Sequence, residues 1–388
     1  MDIAVIGAGN RARKYLSCIP GEVHVCYIVE PEPLRLSSAA ALCGVPPERC
    51  FTSAGEFFSK PRDIQAVIVA TPDRLHVPVA LEAVRNGYHV LLEKPVAQTL
   101  EEYMTLLEAS ISRGAQVGVC LEMRFHPYFR RIKEIVDGGV LGNILEIDHT
   151  EHIGPDRMAH TFVRGLWSRH EDAGPIFLSK CCHDADFLIW LTGGSVVSAR
   201  SQGLIRKFRT DRAPYGATAR CLDCPVTDCA YSAVRLYRDR REWVDGFDIP
   251  EGSSLREVIN AELSSGRYGR CVYRCDNTVF DTQDVEAILS TGVTLHMHLE
   301  GTSMKEGRTT VIRGTKTTLE ADGGHILVNA HGRPVLSEDY SHLAGLPLHA
   351  GADRLLVEDF FHAISTGTEP HASLASALEG HKLCFATV

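Results

Sequence analysis

Gly7-Ala8-Gly9-Asn10-Arg11-Ala12 fits G-x-G-x-x-G/A, directly after the apolar run Ile3 to Ile6 and directly before a helix-forming stretch. In that setting Gly7 permits a tight turn and Gly9 lets backbone approach a pyrophosphate. Ala12 is small enough for close helix–strand packing, and Asn10 and Arg11 open the helix whose N-terminus faces the phosphate charge. Glu30 closes the second apolar run, about 20 residues on, where a carboxylate can hold a ribose 2′-hydroxyl. The same carboxylate repels a 2′-phosphate, so the pattern favours NAD over NADP, a preference tempered by Arg35 nearby.

A second group of reactive side chains is Cys221-x-x-Cys224-x-x-x-x-Cys229, with Cys271 and Cys275 following. A C-x-x-C knuckle with a third nearby cysteine has the spacing of a structural zinc site, for which Cys271 or Cys275 is the natural fourth ligand and Cys182 a weaker one. Reduced packing thiols and a labile disulfide are the competing readings. The chain holds 13 cysteines and opens Met-Asp-Ile-Ala-Val-Ile-Gly, with no basic segment ahead of an apolar one. That argues against a signal peptide and a disulfide framework, and for a cytoplasmic protein. Cys18, Cys26, Cys43, Cys50, Cys120 and Cys384 sit among apolar neighbours and read as core.

These residues need a scaffold, and 388 residues at 44% hydrophobic and 23% charged supply about two globular domains. The net charge of −9 is the wrong sign for a dedicated nucleic-acid binder. No apolar run approaches the roughly 18–20 residues of a membrane span. Through about residue 121, apolar strands alternate with helical patterns, which predicts a parallel sheet covered on both faces: a doubly wound α/β domain over 1–121. Beyond it the pattern changes. Ile144 to His152, Val293 to Leu299, Thr309 to Ile312 and Thr317 to Glu320 alternate like antiparallel strands, and a helix around Lys180 to Leu191 interrupts them. Residues 122–388 therefore read as an α+β domain on an open, mostly antiparallel sheet, with an irregular, cysteine-containing insertion at about 205–273. The tail patterns Asp353 to Ile364 and Leu374 to Phe385 look helical.

Further motifs join the glycine loop: Thr71-Pro72-Asp73 with His76, Glu93-Lys94-Pro95, Arg124-Phe125-x-Pro127, Gly139-x-x-Gly142 and His183-x-x-Asp186. In combination they resemble the glucose–fructose oxidoreductase / inositol dehydrogenase (Gfo/Idh/MocA) family over essentially the whole chain. The resemblance implies a Rossmann domain followed by an open-sheet domain, substrate bound between them, and hydride transfer between a sugar or cyclitol carbon and a nicotinamide. It implies that Gly7, Gly9, Glu30, Thr71, Pro72, His76, Glu93 and Lys94 line the cofactor, with Lys94 also reaching the reacting hydroxyl and His183 flanking it. It further implies a homo-dimer or homo-tetramer. The chemistry suits those residue types: an ammonium stabilises a developing alkoxide, and a neutral imidazole accepts a proton near neutral pH.

One position departs from the family pattern. An aspartate common four residues before the histidine is Ser179 here, followed by Lys180-Cys181-Cys182-His183-Asp184. A serine cannot serve as a carboxylate partner. Helical spacing puts Lys180, His183 and Asp184 on one face, so Lys180 reads as a second cation near the substrate or as the residue tuning His183. Arg124, His160, Arg164, Trp167 and Asp184 are candidate substrate contacts. The reading is an NAD-dependent dehydrogenase of a sugar, glycoside or cyclitol. A glycoside-processing enzyme with internally recycled NAD and a catalytically silent NAD-binding sensor are the alternatives.

Overall fold

The computed structural model describes residues 1–59, 61 and 63–387. Two compact units emerge. The first comprises Met1–Asp137, Ala185–Leu191 and His342–Phe385; the second comprises Gly138–Asp184, Thr192–Ser341 and the chain from Ala386.

In the first unit, strands β1 (Asp2–Ile6), β2 (His24–Val29), β3 (Cys50–Phe51), β4 (Ala66–Val69), β5 (His89–Leu92) and β6 (Val117–Val119) form one sheet in the order β3-β2-β1-β4-β5-β6. Every pairing is parallel. This is the doubly wound order, and β1 and β4 are buried almost throughout because helices cover both faces. The helix Leu100–Arg113 starts where the Thr99 side chain accepts the Glu102 amide, a cap that satisfies one otherwise orphaned donor. The chain returns to this unit at its end. In the helix Ala352–Thr366, Leu356, Val357, Phe360 and Phe361 enter the same core. Gly118 on β6 admits the Phe360 ring where a Cβ would stand 2.8 Å from it. The tail helix covers Leu378–Phe385 and starts later than its pattern predicts.

The second unit is built on β7 (Ile144–His152), β8 (Val196–Leu204), β9 (Thr282–Leu289), β10 (Thr294–Glu300), β11 (Gly307–Gly314), β12 (Thr318–Ala321), β13 (His325–Ala330) and β14 (Arg333–Asp339). The order is β14-β13-β12-β11-β7-β10-β9-β8, with β7 and β10 parallel and the other pairs antiparallel. Period-two alternation sends Ile147, Val285, Leu295, Met297, Leu299, Ile312 and Leu319 to the buried face. The opposite face carries pairs such as Arg200–Glu286, His298–Asp284 and Arg313–Glu146.

The stretch expected to be irregular has more structure than its composition indicates. It contains the helix Leu255–Ser264, opened by a Ser254/Glu257 capping box, and a core of Ala233, Leu236, Tyr237, Val244, Ile259 and Leu263. Ser254-x-x-Glu257 is a readable helix-start signal. The sparse apolar residues around it masked that signal.

Candidate functional site

At Gly7 the loop is set by a contact that leaves no room for a side chain. Gly7 has φ +92°, and a Cβ there would lie 2.5 Å from the Ala70 carbonyl oxygen. Around Gly9 the same test finds open space within 4 Å, and Gly9 caps the helix Asn10–Leu16 with no side-chain bond. Asn10 is exposed at that helix start, while Ala12 is fully buried. Glu30, buried at the end of β2, accepts the Ala8 N–H at 2.7 Å through Oε2 and the Glu32 N–H at 3.1 Å through Oε1. Thr71 follows β4, and its buried Oγ1 has no hydrogen-bond partner among the described residues. Pro72 caps the short turn Asp73–Leu75. An open backbone approach, uncapped helix amides, an immobilised acid and an orphaned hydroxyl together fit a dinucleotide.

Arg11 turns away from that opening and organises the loop that carries Lys94. Its Nε donates to Glu93 Oε1 at 2.8 Å, and its Nη2 donates to the Tyr15 hydroxyl at 2.6 Å and to Asp353 Oδ1 at 2.8 Å. Tyr15 also donates to Glu93, and the Lys94 amide donates to Glu93 Oε2 at 2.9 Å. Burial by itself pushes the Glu93 carboxyl up, but Arg11 and Lys94 outweigh it and hold it below the usual range. Burial likewise opposes ionisation of Asp353, yet its bond from His349 and its contact with Arg11 pull it down to about 2. His76 places Nδ1 2.7 Å from the Pro95 carbonyl and Nε2 2.9 Å from that of Thr71. Glu93 and His76, expected to line a cofactor, are buried and committed to protein partners. They shape the half-buried Lys94 and the Thr71 loop from behind.

In the second unit the first half of the helix Ile176–Thr192, through Asp184, faces the inner side of β7 and β11. Lys180 pairs with Glu151, and Arg308 bridges Glu151 at 3.0 Å and Asp184. His149 Nε2 meets Asp184 Oδ1 at 3.0 Å, and its Nδ1 meets Thr310 Oγ1 at 2.9 Å. Burial would raise the Asp184 carboxyl, but Arg308 and His149 hold it far below the usual range. Asp184, expected at the substrate, is thus a fully buried anchor between strands and helix. Ser179 bonds back to the Ile176 carbonyl at 3.3 Å, and Glu151 on β7 supplies the carboxylate beside Lys180. His183 is buried on the same helix. Arg308 and His149 went unseen in the sequence because their partners lie 124 and 35 residues away.

Other expected substrate contacts are also spent internally. Arg124 uses all five N–H donors: two on Asp186, one on the His371 carbonyl and two on Ser376. His160 donates or accepts at 2.9 Å with the Tyr237 hydroxyl and stacks on Tyr268 at 4.6 Å between centroids. Burial, reinforced by the Arg164 and Arg157 cations, pushes its imidazole down to about 4. Both His160 and Arg164 lie on the π-helical turn Met158–Arg164. Arg164 is fully buried and bonds the carbonyls of Arg270 and Tyr231. Trp167 is half-buried.

The cysteines expected to bind zinc all line one cavity of about 450 Å³. Their sulphurs are not drawn together to ligand spacing: among the described residues, the only three metal-binding groups mutually within 4.8 Å are Glu146, Asp148 and His296, on the open sheet face.

Against family models, residues 1–121 match the oxidoreductase family with NAD-binding Rossmann fold, and residues 133–263 match that family's C-terminal α/β domain. The chain belongs to the Gfo/Idh/MocA family. This member is 25% identical to YteT of Bacillus subtilis over 67% of its own length and 60% of that protein's. It is 27% identical to an inositol 2-dehydrogenase of Ralstonia nicotianae over 52% of its length and 57% of that enzyme's. These matches span less than two thirds of either relative. Its fold is similar to that of an Agrobacterium radiobacter oxidoreductase solved with NAD+, L-tartaric acid and magnesium. The TM-score is 0.71 at 15% identity, covering 100% of this chain and 95% of that one. No helix among the described residues is long and apolar enough to cross a membrane.

Proposed function

We propose that this Gfo/Idh/MocA protein is an NAD-dependent dehydrogenase acting on a secondary hydroxyl of a sugar, glycoside or cyclitol. The observation that carries the reading is the Glu30 carboxylate, held 2.7 Å from the Ala8 amide of a glycine loop that leaves open space at Gly9. An acid fixed there binds a ribose diol and disfavours a 2′-phosphate. The relatives named inositol 2-dehydrogenase support the cyclitol end of the substrate range.

When bound, the nicotinamide supplies the hydride acceptor. Glu30 orients its ribose, and the Thr71 hydroxyl gives a buried polar contact to the same molecule. Lys94 stabilises the negative charge that develops on the substrate oxygen as its proton leaves. His183 accepts that proton as a neutral imidazole. Lys180 and Glu151 form the adjoining charged pair and hold the helix surface on which His183 stands. Glu93, pinned by Arg11, fixes the backbone from which Lys94 projects.

The test is reduced-nicotinamide absorbance on mixing purified protein and NAD with inositols, free sugars and pyranosides. Build-up with at least one polyol is expected. Silence across the panel, with NAD shown to bind, would sink the dehydrogenase reading and favour a recycled cofactor or a sensor.

A further inference from the structure

Arg164 is a guanidinium with no exposure to solvent and no carboxylate partner among the described residues. Its Nε and one Nη2 hydrogen go to the carbonyls of Arg270 and Tyr231, at 2.6 and 2.7 Å. Nη2 also points at Cys221 Sγ, 3.4 Å away, and Nη1 is buried with no partner. The guanidinium forms part of the wall of the cavity that Cys221, Cys224, Cys229 and Cys271 also line. A buried cation compensated only by neutral groups is strongly disfavoured. Anionic sulphur is one compensation this wall offers; the Asp239 carboxylate, which also lines it, pairs with Arg238.

We propose that Cys221, Cys224, Cys229 and Cys271 bind a zinc ion as four thiolates, with Arg164 as the cation that offsets part of the site's negative charge and donates to its sulphur. Four thiolates around a divalent ion leave two negative charges, which Arg164 halves. The backbone is arranged for this. The Cys224 N–H approaches the Cys221 carbonyl in a knuckle turn. Arg220 and Arg270 pair in an antiparallel bridge, so Cys221 stands opposite Gly269 and Cys271 opposite Ala219, and the two cysteines flank the bridge diagonally, with the Cys221 N–H on the Gly269 carbonyl and the Cys271 N–H on that of Ala219. Cys275 is set apart, because its thiol donates to the Cys271 carbonyl at 3.3 Å. Tetrahedral coordination at about 2.3 Å per Zn–S bond needs sulphurs about 3.8 Å apart. No three of these sulphurs stand within 4.8 Å of one another here, so binding requires the cavity to close around the ion. The metal is structural, tying the cysteine loop to the segment before β9, and the proposal is independent of the dehydrogenase reading.

The experiment is metal analysis of the full chain expressed with zinc in the medium and dialysed against a chelator, followed by titration with a mercurial. Expected is about one zinc per chain, released as the thiols are blocked, and cobalt exchange giving the visible bands of a tetrahedral thiolate site. Cys224→Ser and Cys271→Ser lose the metal, while Cys275→Ser keeps it. Arg164→Met retains it at least about tenfold more weakly against a competing chelator. Should the serine variants fail to fold, cobalt titration of stripped wild-type protein decides instead. Metal-free wild type that takes up no cobalt overturns the site. Loss of metal in Cys275→Ser with retention in Cys271→Ser overturns the ligand set.

Discussion

Arg11 Nε stands 2.8 Å from Glu93 Oε1, which ties the glycine loop directly to the loop that carries Lys94. The two residues are 82 positions apart, and the link fixes the two loops to each other.

Arg11→Met should therefore affect both. It strands two carboxylates, Glu93 and Asp353, in a buried setting. The expected loss is about 2–3 kcal/mol of stability, below the ~3–5 of a fully buried pair because the Arg11 side chain keeps 30% exposure. Denaturant unfolding checks the first number. NAD affinity and turnover should fall together, whereas a variant with altered stability and wild-type kinetics would mean that Arg11 only supports the fold.

Glu30→Ser removes the charge that disfavours a 2′-phosphate and frees the Ala8 amide. The ratio of NADP to NAD affinity should rise at least about tenfold, mostly through weaker NAD binding. Titration of both nucleotides by calorimetry measures it. An unchanged ratio would assign Glu30 to loop structure alone.

Lys94→Ala should cut kcat by at least about a hundredfold while NAD affinity stays within about threefold. Lys180→Met should be milder, since Glu151 keeps Arg308 at 3.0 Å when Lys180 is gone. Equal losses in the two variants would put Lys180 in the chemistry on the same footing as Lys94.

A half-buried histidine, His160, and a buried one, His381, set an acid limb of stability. Burial pushes His160 and His381 down to about 4 in the folded chain, against roughly 6.5 when unfolded. Between those values the unfolded chain binds more protons, so this stability is complete above pH ~6.5 and is lost as pH falls toward 4. Lowering the pH from 7 to 5 should remove about 2 kcal/mol through each. His381→Gln keeps an acceptor for the Val96 amide and should flatten the pH slope by about that amount. An unaltered slope in equilibrium unfolding would show that His381 is not neutral in the fold.

Short-range physics made much of this protein legible in its residues. The alternation of β7, β10, β11 and β12 and the apolar runs of β1, β2, β4 and β5 follow from periodicities of two and from burial on both faces. The glycine loop was readable because a turn with φ +92° against the Ala70 carbonyl admits no side chain. The helix Leu255–Ser264 was equally local, and its Ser254/Glu257 box lay in plain view within a stretch whose composition hid it.

What a buried polar side chain does could not be read that way. Arg124, Asp184, His160 and Arg164 have the residue types that bind sugars, and nothing in their neighbours along the chain distinguishes a ligand contact from an internal one. Tertiary structure decided it by supplying partners far away in sequence: the acceptors Asp186 and Ser376 for Arg124, the donors Arg308 and His149 for Asp184, and Tyr237 for His160. The sequence by itself determined the main elements of the first domain, four strands of the second, the nucleotide loop and the family. The fold alone settled which charges are used up inside, because desolvation drives most buried donors and acceptors to find a partner and the chain offers those partners only once it has folded.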